Sequence, residues 1–560
     1  MDYLSEYKKW CAFATEDNLN NALLMMYAEE IKDAFYRELE FGTGGLRGII
    51  AAGTNRMNVY TVAKATQGLV DYLFSRYSRG ISVVIGYDSR MKSDLFADVT
   101  ASVFAANGVK VYFWDRLNPV STVSYAVRYL QASAGVMITA SHNPKEYNGY
   151  KVYDENGCQI TSEVADLISR EIKKLDIFCD VKRVSLSEAV ATGIVNYIGD
   201  TVMNAYLKDV QSQSVLFGEK IRKDFPIVYT PLNGTGRLPV TRVLHESGFL
   251  NIVLVKEQEL PDGQFSTCPY PNPEIKDAFS LGLEYCRRTN SELMLATDPD
   301  CDRVGIAVKD HDDEFVLLSG NETGILLLDY ICTQRVKHKK MPEAALIVKT
   351  IVTTDLGRKI ANSYGVRVID VLTGFKYIGE QICKLESQGR IEDFIFGFEE
   401  SYGYLSGGYV RDKDGVNAAF LICEMFSYYK SQGISLLDKL RELIGKYGCS
   451  LDTLHSYEYK GLKGENKINS IMEKLRSKTK DDFFVAKKSV IQVMDYNKRI
   501  DGLPKSNVLK FFLEGGCSFV IRPSGTEPKI KLYIHVSAEN QIEASMVERE
   551  IVEDLSAFFN

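Results

Sequence analysis

Short apolar runs alternate along most of the chain with longer segments in which apolar residues recur every three or four positions. The runs are typical of buried strands, and the longer segments are typical of amphipathic helices. The pattern restarts twice, and the predicted strands are residues 83–86, 109–113 and 135–138, then 227–229, 252–255 and 293–296, then 345–348, 366–369 and 394–396. Such alternation indicates right-handed βαβ units. We therefore predict three similar α/β domains with mixed or parallel sheets.

The two ends of the chain depart from this alternation. Near the start, an apolar stripe at helical spacing predicts one packing helix, with Leu23, Leu24, Tyr27, Ile31, Phe35 and Leu39 on one face. A linker is predicted at 450–466, and residues 460–480 are rich in lysine. The pattern then predicts a hairpin or meander with strands in 508–520 and 530–536, and an amphipathic helix with Ile542, Val547, Ile551 and Leu555. This part predicts a smaller C-terminal α+β domain. The predicted domains are residues 1–213, 214–320, 321–448 and 449–560.

Composition narrows the class of protein. The 560 residues correspond to about four domains at roughly 150 residues each, and 45% hydrophobic with 25% charged residues is typical of a globular protein. No apolar run reaches the roughly 18 residues of a membrane helix, and a signal-peptide pattern is lacking. The lack of both predicts a cytoplasmic location. Eleven scattered cysteines without a C-x-x-C pair argue against structural zinc and predict reduced thiols. The net charge of −7 disfavours nucleic-acid binding. We predict no nucleic-acid or membrane partner and leave the oligomeric state open.

One serine stands where a predicted strand ends. Residues 139–144 read TASHNP, which places Ser141 at the carboxyl edge of a sheet, where α/β proteins bind ligands. A hydrolase nucleophile needs a general base, but adjacent side chains of extended backbone point to opposite faces, so His142 is not expected to be that base. The glycines of a G-x-S-x-G elbow are also missing. A phosphoryl carrier and a plain turn both stay open.

Three aspartates alternate in the segment DPDCDR. Asp298, Asp300 and Asp302 follow the predicted strand 293–296, and alternate positions of extended chain face the same side. Converging carboxylates repel one another unless a cation lies between them, and hard oxygen ligands suit Mg²⁺. We therefore predict a magnesium site. The alternatives are a solvated acidic turn and an aspartyl-phosphate enzyme with Asp298 as its nucleophile.

Two segments have the composition of phosphate-binding turns. FGTGGLRG at 41–48 is dense in glycine, which lets backbone approach an anion beside Arg47. RPSGTEPK at 522–529 lies between two predicted strands and combines hydroxyls, backbone N–H groups and basic side chains, which come from Arg522, Ser524, Gly525, Thr526 and Lys529. Either segment could instead be an ordinary surface turn.

A further pair of segments is suited to a sugar. Glu399 and Ser401 follow the predicted strand 394–396 and can accept and donate hydrogen bonds to neighbouring sugar hydroxyls. Thr373 and Gly374 would shape the same pocket, and Arg411 and Lys413 would supply positive charge or a proton. Each of these segments could instead be a structural turn. Two phosphate sites beside a serine and a metal indicate an enzyme that phosphorylates one end of its substrate while it holds a phosphate at the other end. It would then turn the intermediate around and take the second phosphate back.

The motifs FGTGGLRG, TASHNP with NGYK after it, DPDCDR, TGFK, GFEESYG and RPSGTEPK resemble, in order, those of the α-D-phosphohexomutase family over nearly the whole chain. They are most similar to the phosphoglucomutase group, which also contains phosphopentomutases and glucose-1,6-bisphosphate synthases. The resemblance implies four domains around a central cleft and interconversion of glucose 1-phosphate and glucose 6-phosphate, with Mg²⁺ as cofactor and glucose 1,6-bisphosphate as primer and intermediate. The alternatives are a phosphopentomutase, a phosphomannomutase, a bisphosphate synthase and a non-catalytic sugar-phosphate binding protein.

The resemblance also implies roles for individual residues. Ser141 would carry the phosphoryl group, and a phosphoserine oxygen would bind Mg²⁺ together with Asp298, Asp300 and Asp302. Arg303 would steady the transferring phosphate. Candidates for proton transfer or charge stabilisation are Lys151, Arg47, His142 and Lys413. Sugar hydroxyls would bind Glu399 and Ser401, and the distal phosphate would bind Arg522, Ser524, Gly525, Thr526 and Lys529.

Overall fold

The computed structural model describes residues 2–42, 44–459, 461–480, 483–500, 502–524 and 529–559, which form four sheets. Each sheet, together with the helices around it, is referred to below as domain 1, 2, 3 or 4 in chain order. The fold class follows the prediction, with three α/β domains and an α+β domain at the C-terminus. The exact domain boundaries stay a prediction.

Domain 1 contains a six-stranded mixed sheet. Its strands are β1 (Gly45–Ile49), β2 (Ser82–Tyr87), β3 (Lys110–Phe113), β4 (Ala134–Ile138), β5 (Tyr147–Tyr153) and β6 (Val195–Tyr197), in the spatial order β1-β5-β4-β2-β3-β6. Its helices are α1 (Tyr3–Phe13), α2 (Leu19–Leu24), α3 (Ala28–Phe35), α4 (Val59–Arg76), α5 (Ser93–Ala106), α6 (Val120–Tyr129), α7 (Ser162–Lys174), α8 (Leu186–Ala191) and α9 (Asp200–Gln211). The central strands β4, β2, β3 and β6 are parallel, whereas β5 and β1 are antiparallel to their neighbours.

The single packing helix predicted near the start is wrong, because the chain forms α2 and α3 with a break between them. Tyr27 has extended backbone, and its N–H donates to the Glu30 carboxylate at 2.9 Å, which begins a new helix. The break turns Leu24 and Tyr27 outwards, where they are 69% and 78% exposed. Leu23 and Phe35 are buried as expected.

Domains 2 and 3 repeat the α/β arrangement. Domain 2 contains β7 (Ile227–Thr230), α10 (Arg237–Glu246), β8 (Ile252–Leu254), α11 (Lys256–Glu259), α12 (Ser280–Thr289), β9 (Leu293–Thr297), β10 (Val304–Lys309) and β11 (Phe315–Leu318), in the order β11-β10-β9-β7-β8. Domain 3 contains α13 (Gly320–Lys337), β12 (Leu346–Thr350), α14 (Leu356–Ser363), β13 (Arg367–Val371), α15 (Phe375–Ser387), β14 (Phe394–Glu399), β15 (Gly403–Leu405), α16 (Gly415–Lys430) and α17 (Leu436–Tyr447), in the order β13-β12-β14-β15. In domain 2 the strands β8, β7 and β9 are parallel, and in domain 3 the strands β13, β12 and β14 are parallel. The remaining pairs, β9 with β10, β10 with β11 and β14 with β15, are antiparallel.

Domain 4 contains a six-stranded antiparallel sheet with two helices. Its elements are β16 (Cys449–Glu458), α18 (Gly461–Arg476), β17 (Phe484–Val485), β18 (Lys488–Asp495), β19 (Leu509–Leu513), β20 (Ser518–Pro523), β21 (Lys529–Ala538) and α19 (Gln541–Phe559), in the order β16-β21-β20-β19-β18-β17. The linker predicted at 450–466 is wrong, because β16 pairs with β21 along its whole length. As an edge strand it exposes alternate polar side chains, which hides its strand character in the sequence.

The apolar core explains how the domains are joined. One cluster of buried apolar residues continues from one face of the domain 1 sheet through domain 2 into domain 3. Domains 1 and 2 also have further clusters of their own, and the core of domain 4 is separate. A smaller apolar cluster joins domains 3 and 4 and includes Ile351, Leu372, Val520 and Tyr533. No helix in the described ranges combines the length and the hydropathy that a membrane crossing requires.

Candidate active site

The loop between β4 and β5 presents Ser141 at the edge of the domain 1 sheet. Ser141 has φ +53°, a left-handed conformation that is uncommon for residues other than glycine, and its N–H donates to Thr139 Oγ1 at 2.8 Å. This conformation brings the neighbouring side chain to the same side, so His142 Nδ1 lies 3.2 Å from Ser141 Oγ. The expectation that the two side chains point to opposite faces is therefore wrong, because it assumed extended backbone.

A buried arginine that the sequence analysis did not select organises this loop. Arg90 follows β2 and is 3% exposed. Its guanidinium donates to the backbone carbonyls of Ser141, Asn143, Pro144 and Tyr147. These bonds fix the turn that holds the serine in its left-handed conformation.

The three aspartates lie in the turn between β9 and β10. Asp298, Asp300 and Asp302 are at most 1% exposed, and each offers an oxygen within 4.8 Å of the others. Burial of this kind rules out the solvated acidic turn. Asp298 Oδ1 accepts hydrogen bonds from the backbone N–H groups of Asp302 at 3.0 Å and Arg303 at 2.9 Å. The turn therefore folds around its own first carboxylate and directs all three inwards.

The serine and the aspartates meet across the boundary between domains 1 and 2. Ser141 Oγ donates to Asp298 Oδ2 at 2.7 Å, and Thr139 Oγ1 donates to Asp300 Oδ2 at 3.2 Å. Thr139 thus supports both sides of the contact, since its hydroxyl oxygen also accepts from the Ser141 N–H. These contacts place the hydroxyl in direct contact with the carboxylate cluster.

Two lysines offset part of the negative charge. Lys151 Nζ, on β5, lies 2.8 Å from Asp300 Oδ2 and 3.3 Å from Asp302 Oδ2, and Lys413 Nζ lies 2.8 Å from Asp302 Oδ2. Although burial raises the pKa of Asp302, Lys413 and Lys151 outweigh it and hold that pKa below its usual range. Burial and the charges of Asp300 and Asp302 raise the pKa of Asp298 well above its usual value.

The donor set fits a hard divalent cation. In the described part of the chain, Asp300 Oδ1 and Asp302 Oδ1 are buried without a hydrogen-bond partner. Buried carboxylate oxygens without partners are costly unless a cation is bound, and oxygen ligands are those that Mg²⁺ prefers. The three aspartates could therefore hold Mg²⁺.

A cleft of about 610 Å³, lined by all four domains, lies beside this cluster and contains most of the other predicted site residues, whereas Lys151 and Lys529 are not part of its lining. The lining includes Arg47, His142, Arg303, Thr373, Gly374, Glu399, Ser401, Lys413, Arg522 and Ser524. Its size is that of a typical small-molecule site. The structure thus brings residues together that are hundreds of positions apart in the sequence.

On the domain 1 and domain 2 side of the cleft, two arginines are held by side-chain acceptors. Arg47, on β1, donates to Asn143 Oδ1 at 2.9 Å, and Arg303 donates to the Glu274 carboxylate. Burial and the charges of Arg303 and Arg47 hold the pKa of His142 well below its usual value.

On the domain 3 side, two turns supply the groups predicted to bind the sugar. Glu399 ends β14, and burial raises its pKa to about 7 although Lys413 opposes the shift. Gly374 has φ +119°, a conformation that favours glycine, and it precedes helix α15. Near neutral pH the Glu399 carboxyl can therefore accept or donate a hydrogen bond.

At the domain 4 end, basic side chains gather on adjacent strands. Arg522 on β20 is opposite Lys531 on β21, and both line the cleft. Lys531 was missed because it lies outside the RPSGTEPK motif, although the alternation of side chains along β21 would have placed it on the same face as Lys529. Lys529 Nζ lies 3.9 Å from the Glu458 carboxylate. Gly525 and Thr526 fall outside the described residues.

Comparisons with known proteins agree with this architecture. The sequence matches the phosphoglucomutase/phosphomannomutase α/β/α domains I, II and III over residues 38–177, 204–311 and 319–447, and the C-terminal domain over residues 468–551. The four domains and their shared cleft are those of a mutase, an enzyme of the isomerase class.

Similar full-length proteins carry the same family name. A phosphoglucomutase from Staphylococcus epidermidis is 36% identical over 522 residues, which cover 92% of this chain and 93% of the relative. A phosphoglucomutase from Staphylococcus aureus is 35% identical over 540 residues, which cover 94% and 95%. The chain belongs to the phosphoglucomutase/phosphomannomutase family.

Solved structures show the same fold at lower identity. A phosphoglucomutase/phosphomannomutase family protein from Burkholderia thailandensis aligns with a TM-score of 0.67 at 17% identity, over 92% of this chain and 97% of that one. The Paramecium phosphoglucomutase parafusin in its open form aligns with a TM-score of 0.66 at 17% identity, over 94% and 96%.

Proposed function

We propose that the protein interconverts glucose 1-phosphate and glucose 6-phosphate through phosphoserine at position 141 and a bisphosphorylated sugar. The observation that carries this proposal is the 2.7 Å contact between Ser141 Oγ and Asp298 within the buried carboxylate cluster. Glucose phosphates are the proposed substrates because proteins named phosphoglucomutase are 35–36% identical to this chain over more than nine-tenths of its length.

The reaction consists of two phosphoryl transfers with a turn of the intermediate between them. The 6-hydroxyl oxygen of glucose 1-phosphate attacks the phosphorus on Ser141, the bond from phosphorus to Oγ breaks, and glucose 1,6-bisphosphate forms. The proton of the attacking hydroxyl passes to a nearby base. After the intermediate reorients, Ser141 Oγ attacks the phosphorus of the 1-phosphate, and the bond from that phosphorus to the sugar 1-oxygen breaks. The 1-oxygen takes a proton back from the base, phosphoserine is restored, and glucose 6-phosphate is released.

The residues around Ser141 would position and stabilise the transferring group. Lys151, Lys413, Arg47 and His142 are candidates to move a proton or offset charge, and Arg303 would hold the phosphoryl oxygens. Asp298, Asp300, Asp302 and a phosphoserine oxygen would hold Mg²⁺, which when bound neutralises charge on the transferring group.

The far end of the substrate would bind in domains 3 and 4. Glu399 and Ser401 would bind sugar hydroxyls in a pocket shaped by Thr373 and Gly374. The second phosphate would bind the basic segment 522–529 of domain 4, through Arg522, Ser524, Gly525, Thr526 and Lys529. A phosphate held there keeps the reacting hydroxyl near Ser141, which is the positioning that phosphoryl transfer requires.

Alternatives remain within the same site. A phosphopentomutase, a phosphomannomutase or a glucose-1,6-bisphosphate synthase would use the same groups. A non-catalytic sugar-phosphate binding protein is disfavoured, because the chain belongs to a family of mutases. Asp298 is less suited to be an aspartyl-phosphate nucleophile, because one of its oxygens already accepts two backbone hydrogen bonds and the other accepts from Ser141. A cytoplasmic location stays part of the proposal.

Conversion rates for a panel of 1-phosphosugars, with and without bisphosphate primer and Mg²⁺, test the proposal. We expect the fastest conversion with glucose 1-phosphate. The Ser141→Ala variant should lose turnover even with glucose 1,6-bisphosphate, because no oxygen remains to accept the phosphoryl group. Ser187→Ala is a matched control, since Ser187 is exposed in the same domain. Normal turnover by Ser141→Ala would refute the carrier role, and accumulation of bisphosphate without isomerisation would favour the synthase.

A further inference from the structure

Two cysteines from different domains lie against each other on the boundary between domains 1 and 3. Cys158 follows β5, and Cys383 is in helix α15. Their sulfur atoms are 3.1 Å apart although the residues are 225 positions apart in the chain. Cys158 is 5% exposed and Cys383 is half-buried, so a small oxidant could reach the second thiol.

A buried arginine makes the surroundings of Cys383 electropositive. Arg411 is fully buried, and its Nε donates to Cys383 Sγ at 3.3 Å. The hydrogen bond with Cys158, followed by the charge of Arg411, lowers the pKa of Cys383 to about 7. A thiol of this kind is partly ionised near neutral pH, and the thiolate is the form that reacts with peroxides.

The interface around the pair is held in place by contacts from both domains. The Arg411 N–H donates to Ser124 Oγ at 3.0 Å, and Ser124 Oγ donates to the carbonyl of Gly157, which precedes Cys158, at 2.7 Å. Glu386 accepts from Arg411 in domain 3 and from Arg128 in domain 1. These bonds keep the two sulfur atoms together, so that they need to approach by only about 1 Å to reach the bonded separation of ~2.05 Å.

We propose that Cys158 and Cys383 form a reversible disulfide between domains 1 and 3 when the protein meets a peroxide. The Cys383 thiolate attacks one peroxide oxygen, the O–O bond breaks, and the leaving hydroxide takes a proton to become water. Cys158 then loses its proton and attacks the sulfenic sulfur of Cys383, and the S–O bond breaks to release a second water. In total, two thiols give two electrons and two protons to one peroxide.

The proposal gives these thiols a role that the mutase reaction does not require. The disulfide would join the segment after β5, the strand that carries Lys151, to helix α15. Arg411 contacts Cys383 on this helix and lies two residues before Lys413. A covalent link between two cleft-lining domains is therefore formed outside the cleft itself.

Peptide mapping of the full-length protein after brief treatment with hydrogen peroxide tests the proposal. Free thiols are alkylated, the protein is digested, and the peptides are compared with and without dithiothreitol. We expect a peptide that links positions 158 and 383 in the wild type and its disappearance after reduction. Alkylation of both cysteines after peroxide treatment would overturn the proposal, as would a sulfinic acid at position 383 without the link.

Three cysteine variants identify which thiols form the link and which of them peroxide attacks first. Cys158→Ser and Cys383→Ser should each abolish the linked peptide, whereas Cys179→Ser removes an exposed cysteine and should leave it unchanged. The Cys158→Ser variant should still form a sulfenic acid at position 383, which a dimedone probe detects. The absence of that adduct would show that Cys383 is not the thiol that peroxide attacks. Because the wild-type measurement needs no substitution, a misfolded variant does not prevent a decision.

Discussion

Replacing Arg90 with lysine tests whether one guanidinium holds the Ser141 loop in place. Arg90 makes five hydrogen bonds to four backbone carbonyls, those of Ser141, Asn143, Pro144 and Tyr147. A lysine ammonium has three N–H groups and lacks the planar fork, so at least two of the five bonds are lost. A buried carbonyl that loses its hydrogen-bond donor costs about 1–2 kcal/mol. With two such bonds lost, we expect Arg90→Lys to lower the free energy of unfolding of domain 1 by about 2–4 kcal/mol.

Lysine also keeps the charge that faces Asp88, which lies 3.6 Å from Arg90 Nε. The expected loss therefore reflects hydrogen bonds and not an uncompensated buried carboxylate. The same variant should lose about tenfold to a hundredfold in mutase turnover, because a reacting oxygen displaced by about 1 Å costs up to a hundredfold.

The two tryptophans of the chain make the stability measurement specific to domain 1. Trp10 and Trp114 are both buried in that domain, so urea unfolding followed by tryptophan fluorescence reports on the loss of its packing. Arg76→Lys is a matched control, because its partner Glu155 lies in a half-exposed pair whose loss should cost less than about 1 kcal/mol. If Arg90→Lys changed the free energy of unfolding by no more than this control and kept full turnover, the guanidinium would not organise the loop.

Three further variants test other parts of the molecule. Arg522→Ala should raise KM for sugar phosphates while phosphoserine still forms, because the substitution removes charge from the domain 4 end only. Gly415→Ala should lower turnover about tenfold or more, because an added Cβ would lie 2.5 Å from the Cys301 carbonyl in the aspartate turn. Glu386→Gln should destabilise the protein at neutral pH, and the difference should shrink in acid. The hydrogen bond from Arg128, followed by the charge of Arg411, lowers the pKa of Glu386 from 4.5 to about 2. The stabilisation is therefore present above pH 4.5 and lost as the pH falls towards 2, which thermal unfolding at several pH values measures.

For each of these three variants, one result would contradict the prediction. Unchanged kinetics would remove Arg522 from the site. Gly445→Ala is the control for Gly415→Ala, because an added Cβ there meets no atom within 4 Å and should stabilise helix α17 by about 0.5–1 kcal/mol. If both glycine variants were equally active, the close packing of Gly415 against the Cys301 carbonyl would not be needed for turnover. A stability difference for Glu386→Gln that is constant with pH would exclude an ionised pair.

The sequence predicts buried strands well because a strand covered on both faces needs a continuous apolar run. Strands β4, β9 and β12 are fully buried, and each overlaps a predicted run. Edge strands give a weaker pattern, which is why β16 is interpreted as a linker. The sequence predicts that the three aspartates converge, but the expected extended chain is wrong. They lie in a turn in which Cys301 has φ +53° and its N–H donates to the Asp298 carbonyl at 2.9 Å.

What the sequence does not reveal depends on backbone conformation and on contacts between distant segments. The contact between Ser141 and His142 requires the left-handed backbone of Ser141, which no propensity assigns to a serine. The importance of Arg90 is hidden because its partners are main-chain carbonyls, and these carry no sequence signature. A lone arginine after an apolar run therefore looks like any surface residue until the fold buries it.

The distribution of the apolar core separates the two ends of the site. Domains 1, 2 and 3 share one continuous core, and the Ser141 to Asp298 contact lies where they meet, so this contact is fixed by the same packing that holds the domains together. Domain 4 has its own core and joins domain 3 through the small cluster around Ile351 and Tyr533. Changes at Arg522 should therefore affect substrate binding and leave the serine and aspartate geometry intact, whereas changes at Arg90 should act on the reacting centre. Loss of phosphoserine formation in Arg522→Ala would show that the two ends are coupled and that this separation is wrong.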